Sequence, residues 1–265
     1  MNPMIRKELN LRMRERRGWI LPSLYLLTMG AVSALAYYMS VDERSWRQLQ
    51  GSDVGVPMFL CAAYTQLALL LLLAPIFSAG AITIEKEQRT LAGLLTSLLS
   101  PFQIWWGKFV ASLLFVLLLI VMGLPVLSLT FAFGGVGPWE VIIATVTTVA
   151  VLGAVSAIGL YWSSVFRRSV HATAVTYATV IALTLVTFII FIIEMSLHHP
   201  ENWSKTSLAL KIPLYLNPGY FLTMAFAPPR LLYPEWFRCL GVFVSLAVVA
   251  IVLTLWNLRR SGDVA

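Results

Sequence analysis

Charge is scarce in this sequence. Asp, Glu, Lys and Arg make up 12% of its 265 residues, against roughly 25% in an ordinary soluble domain. With 59% hydrophobic residues and a mean hydropathy of +0.82, the chain reads as an integral membrane protein with little soluble mass. Cysteine is nearly absent: Cys61 and Cys239 lie in or beside apolar runs, which leaves no disulfide framework and no cysteine metal site. His198, His199 and Glu201 lack a further well-spaced ligand, so no metal centre is assigned. No glycine-rich loop closes on Lys-Ser or Lys-Thr; Gly107-Lys108 lacks both the upstream glycine and the following hydroxyl, so the common ATP-binding P-loop is missing. There is no His-Glu-x-x-His, nucleophile elbow or run of catalytic carboxylates. No catalytic residue is therefore assigned, and the chain is not expected to be an enzyme. The apolar runs hold almost no ionisable groups, which argues against a proton-relay carrier.

Six apolar runs predict an all-α, polytopic architecture with spans at 19–39, 57–80, 103–133, 139–166, 171–193 and 237–258. The first run is too long for the apolar core of a leader peptide and has no small-residue cleavage site, so it is read as a retained helix. Before it, residues 1–18 form a basic amphipathic helix, with Met4, Ile5, Leu9 and Met13 toward one side and Arg6, Lys7, Arg14 and Arg17 around the other. That segment suits the membrane surface, as an anchor, as a contact for a partner, or both. Trp105 and Trp106 mark an interface, Lys108 is expected to snorkel back toward the cytoplasm, and Pro125 to kink its helix. Gly153, Ala154, Ser156, Ala157 and Gly159 form a small-residue face suited to close helix packing. Polar residues in the second and fifth spans, Tyr64 and Gln66, then Thr176, Tyr177 and Thr184, suit either helix packing or a substrate path. Between spans five and six, residues 206–228 hold apolar pieces too short to cross, broken by Pro213 and Pro218; they predict short re-entrant helices. No domain boundary, repeat or low-complexity segment interrupts residues 1–265.

The net charge of +7 is unevenly distributed. With six spans and a cytoplasmic start, the inside segments carry 13 of the 19 basic residues and 5 of the 12 acids, a balance of +8 inside and −1 outside. Basic residues held on one side orient a membrane protein, which makes nucleic-acid binding an unnecessary explanation of the charge. Both termini are expected to face the cytoplasm, with Asp42 and His198 outside.

One interior stretch is densely charged. Residues 83–99 read as an amphipathic helix with one apolar stripe through Ile84, Leu91, Leu94, Leu95 and Leu98, and with Glu85, Lys86, Glu87 and Arg89 gathered in its first turns. Ser100-Pro101 would cap and open the next span.

The basic segment Asn2-Pro3 through Arg17, the run Glu85-Lys86-Glu87-Gln88-Arg89-Thr90-Leu91 with Leu94-Leu95-Thr96 and Ser100-Pro101, and Gly107-Lys108 at the start of the next span resemble permease subunits of type-2 ABC transporters, the ABC-2 exporter family. The resemblance extends over nearly the whole chain. It implies that Glu85, Glu87, Arg89, Thr90 and Leu91 lie at a cytoplasmic coupling helix docked on a separate ATPase, with Arg6, Lys7, Arg14, Arg167 and Arg168 at the same interface. It further implies two ABC ATPase subunits that hold ATP and Mg, a second permease chain forming a homodimer, and no cofactor in this chain. A substrate path would run past Tyr64, Gln66, Thr176, Tyr177 and Thr184 to an outer gate at Tyr215, Asn217, Tyr220 and Phe221. The expected function is ATP-driven export of an amphipathic or hydrophobic substrate from the cytoplasmic membrane. A secondary carrier and a membrane-embedded enzyme or assembly factor are the alternatives.

Overall fold

The computed structural model describes residues 17–40, 51–90, 101–197, 208–226 and 229–262. The expected surface segment with Arg6, Lys7 and Arg14, together with Leu91, His198, His199 and Glu201, lies outside these residues. The described chain is helical, with no strand. Its elements are α1 (Arg17–Ser40), α2 (Gly51–Ser78), α3 (Thr83–Glu87), α4 (Pro101–Leu129), α5 (Pro138–Val165), α6 (Ser169–Ile181), α7 (Thr187–Leu197), α8 (Leu208–Tyr215), α9 (Pro218–Thr223) and α10 (Pro229–Gly262). A π turn, Ala182–Val186, joins α6 to α7, and 3-10 turns follow α4 and α9.

Among the described residues, six apolar stretches are long enough to cross a bilayer: Ile20–Ser40, Val54–Glu87, Phe102–Phe133, Pro138–Val165, Ser169–Ile190 and Pro234–Arg260. A bilayer core offers the backbone no water, so each span must close its own hydrogen bonds, which is why these sequences become helices. Their hydroxyls do likewise. Thr148, Thr176 and Thr254 are buried and donate to the carbonyls four residues back at 2.8, 2.7 and 2.6 Å.

Packing puts α2 and α5 at the centre. About two-thirds of their apolar windows is buried, 67% and 61%, against 17% for the α6 stretch and 22% for α10. α2 lies against α1, α4 and α5; α5 also contacts α6 and runs along α10. Helices in lipid associate through close packing rather than through hydrophobic exclusion. The small face of α5 provides this at Gly159, where an added Cβ would sit 2.1 Å from Ser78 Oγ of α2. At the far end of α4, Gly134 and Gly135 take φ of 79° and 80°, and the Glu140 carboxylate accepts the Gly137 N–H at 2.9 Å to start α5.

Three expectations change. First, the helix that holds the expected span 237–258 extends beyond it, from Pro229, with Pro234 carried inside. Second, the fifth span is not one regular helix, because the π turn divides it. Third, no uninterrupted helix covers 83–99: α3 stops at Glu87, and Thr90 N–H donates to Glu85 O (3.0 Å) while Arg89 N–H donates to Lys86 O (3.2 Å). This is a Schellman closure, with Arg89 at φ 56° in the left-handed position usually given to glycine. A left-handed non-glycine residue costs about 1–2 kcal/mol. Arg89→Gly is therefore expected to leave unchanged or raise the thermal midpoint of the purified protein, and Arg89→Val to lower it. A clear loss with glycine would contradict the left-handed conformation.

Candidate functional site

Polar side chains gather in two places, one at the α2–α3 elbow and one around α8 and α9. From Val54 to Ser78, α2 is already about 37 Å long at 1.5 Å per residue, which exceeds a hydrocarbon core of about 30 Å. α2 alone is thus long enough to cross that core before the elbow and α3 begin.

At the elbow the chain turns through Ala79–Ile82 and enters α3 without a side-chain cap of its own. The cap comes from α5: Ser163 Oγ accepts the N–H of Ile82 (2.9 Å) and of Thr83 (3.0 Å). Lys86 reaches the end of α5, where its Nζ donates to the carbonyls of Ser163 (3.3 Å), Ser164 and Phe166 (3.1 Å). Glu87 turns to the start of α6 and accepts the Ser169 N–H (2.7 Å) and hydroxyl (2.9 Å) on Oε1. Cation at a helix C-terminus and anion at an N-terminus both suit the helix dipoles. Two adjacent residues of α3 thus hold the two helix ends flanking the Phe166–Arg168 turn.

Burial, with Arg167 nearby, lowers the Lys86 ammonium from its ordinary value to about 8, so the three carbonyls compensate a charge that is costly to hold there. The Ser169 amide and hydroxyl, assisted by Arg168, hold the Glu87 carboxyl below the usual carboxylate range. A second lysine locks the elbow from α4. Lys108 is 1% exposed and donates to Ala81 O (2.6 Å) and Glu85 Oε1 (3.3 Å), while the Thr90 hydroxyl bonds the other Glu85 oxygen. Lys108 thus reaches back to the elbow, where it meets a carbonyl and a carboxylate rather than solvent. Ile84, Glu87, Gln88, Arg89, Thr90, Arg167 and Arg168 form the exposed surface of this unit.

At the far end, α8 and α9 meet the α6–α7 junction and α10. Asn217 caps α9 by accepting the N–H of Gly219 (2.8 Å) and Tyr220 (3.1 Å). Its amide donates to Thr187 Oγ1 (2.8 Å) and to the Thr184 carbonyl (3.2 Å) in the π turn. Tyr215 donates to Glu235 Oε2 (2.7 Å), and Arg238 pairs with Glu235 Oε1 (2.6 Å). Phe221 is fully buried, stacked on Phe243 at 5.4 Å, and Trp236 Nε1 donates to Thr147 Oγ1 (2.8 Å). A cavity of about 310 Å³ lies where Tyr64 of α2, Phe188 of α7 and residues 214–223 meet.

Among the candidate path and gate residues, Tyr64, Asn217 and Tyr220 line this cavity; the others do not. Gln66 is buried toward α4, its Oε1 3.4 Å from a Cβ built on Gly123. Thr176 and Thr184 direct their hydroxyls to their own helix, and Tyr177 donates to Leu72 O (2.6 Å). Lys86, Ser163, Ser169, Glu235 and Thr187 are not among the site residues assigned from the sequence. The position of Lys86 beside Glu87, between two helix ends, was the one available signal. Among the described residues, no group of three potential metal ligands occurs.

Long apolar helices around two buried central spans, with polar clusters at the ends, define a polytopic α-helical membrane protein. Residues 3–262 match the model of a family described as ABC-2 family transporter protein, and the chain belongs to that family, as a permease domain spanning nearly its full length. No curated protein shows significant similarity to the chain.

Proposed function

We propose that this chain is the membrane subunit of an ATP-driven exporter for an amphipathic or hydrophobic substrate, with hydrolysis carried out by a separate ATPase docked on the elbow. The observation that carries this is the α3 elbow, which is bonded through Lys86 and Glu87 to the ends of both α5 and α6. A displacement of α3 is then delivered to two spans at once. The exposed Ile84, Gln88, Arg89, Thr90, Arg167 and Arg168 offer a docking partner an apolar contact and three cations. ATP and Mg belong to the ATPase, which supplies the phosphoryl-transfer residues in trans.

The elbow, the Arg167-Arg168 turn and both termini lie on the cytoplasmic side in this scheme, in accord with the excess of basic residues there. α8 and α9 form a re-entrant outer gate. One chain supplies half of a pathway, and a homodimer with closed symmetry, bound to two ATPase subunits, completes it. The exposed apolar side chains of α6 and α7 suit a partner or lipid.

Native purification is expected to recover an ATPase and two copies of this chain; complexes that consistently lack any ATPase would overturn the assignment. Single cysteines at Arg89 and Arg168 should react with an impermeant thiol reagent only from the cytoplasmic side. Labelling of Arg89→Cys from outside would reverse the topology.

A further inference from the structure

The cavity beside α9 has walls that offer almost nothing to a polar ligand. Tyr64 donates its hydroxyl to Gly219 O (3.3 Å), Thr223 donates to Tyr220 O (2.6 Å), and all four side-chain bonds of Asn217 described above go to this chain. Leu214 and Phe188 add apolar surface, and no Asp, Glu, Lys or Arg among the described residues lines the space. Tyr220 carries the one lining hydroxyl that has no hydrogen-bond partner among the described residues. An ionised headgroup inside would lie unpaired in a low-dielectric pocket, which is strongly unfavourable.

The volume is near the lower limit of small-molecule sites, about 300 Å³, so only a single chain or ring fits within it. One wall residue settles its source. Phe188 is 51% exposed and continues an outward-facing apolar series through Leu185 and Ile189 on a stretch long enough to cross the bilayer. With lipid rather than a second chain over this face, the cavity opens to acyl chains and not to an aqueous vestibule.

We infer that this cavity binds the acyl chain of a bilayer lipid or lipid-like amphiphile, inserted past Phe188 between α2, α7 and α9, with the Tyr220 hydroxyl available to one neutral acceptor such as an ester carbonyl. The inference rests on the exporter reading only for its consequence, that the held chain belongs to the transported amphiphile. Binding itself requires no ATPase.

The test uses the full chain in nanodiscs of phosphatidylcholine containing a trace of phosphatidylcholine with a diazirine in its acyl chain. After illumination, peptide mass spectrometry should find adducts on residues 212–226 in excess of those on the lipid-facing reference Val248, Val249 and Val252. Thr223→Trp, which fills the cavity, should cut that excess by about tenfold, equivalent to losing roughly two buried methylenes of contact. Ile189→Trp, an equally large change on the outer surface, should preserve it. A headgroup-borne diazirine should not label these residues. Labelling no stronger than at the reference, or unmoved by Thr223→Trp in protein of normal thermal midpoint, overturns the inference; so does preferential headgroup labelling. ATPase recovery in the same preparations reads the exporter assignment separately, so either result can fail without the other.

Discussion

Lys86→Met is expected to give a protein that inserts, assembles and recruits its ATPase, yet responds to substrate with a stimulation of hydrolysis reduced roughly ten- to hundredfold. Methionine removes all three bonds that Lys86 makes to the end of α5, and the range corresponds to a net coupling loss equal to one charged hydrogen bond, about 1.5–3 kcal/mol. Methionine keeps the length and apolar stem of lysine while removing the donor, and the loss falls on a group whose burial already disfavours its charge. Net stability should therefore change little, since removing a costly buried charge offsets the lost bonds. Glu87→Ala releases the other arm, the N-terminus of α6, and is expected to act in the same direction. In the double variant the effects should not add, because opening either arm already disconnects the turn between α5 and α6. Membrane yield, ATPase recovery, basal hydrolysis and substrate-stimulated hydrolysis measured together decide the matter. Normal stimulation in Lys86→Met protein would show that the elbow does not transmit force.

Gly159→Val should be the most destabilising single change among those considered. The built Cβ lies 2.1 Å from Ser78 Oγ, 2.8 Å from Ser78 Cβ and 3.3 Å from the Ala79 amide nitrogen. Rotation of the serine removes only the first contact, so α2 and α5 must separate along the most buried helix pair of the bundle. Overpacking of this kind costs about 1–3 kcal/mol, and more where backbone must move. The expected readout is a lowered thermal midpoint in detergent and a smaller monodisperse fraction. Ser78→Gly in the same chain should recover part of the loss by removing the facing Cβ. A wild-type midpoint for Gly159→Val would show that the two helices do not approach this closely.

The sequence made the spans legible because a bilayer rewards long apolar runs regardless of what they touch. It exposed the packing face of α5 for the same kind of reason, since small residues admit a neighbouring backbone. Long polar side chains were less legible. Lys86 and Lys108 are flexible enough to meet solvent or any of several carbonyls, and spacing along one helix does not say which helix end lies within reach. Arg89 concealed the end of α3 because the left-handed position is ordinarily marked by glycine. The hydroxyls along span five left helix packing and a path both open, and Thr176 and Thr184 bond to their own helix. Asn217 stood out as a gate residue; its actual partners, a helix cap and a π turn, depend on a long-range approach that local pattern does not encode.

The π turn carries a consequence for inheritance. A π turn closes with bonds to the fifth residue rather than the fourth, so Ala182–Val186 holds one residue more than an α-helix needs to join α6 to α7. Losing a single codon there would straighten the span without shortening its reach, while withdrawing the Thr184 carbonyl from the amide of Asn217. A relative with a one-residue gap between 182 and 186 is therefore expected to differ at 217 as well, making the two positions change as a pair across the family.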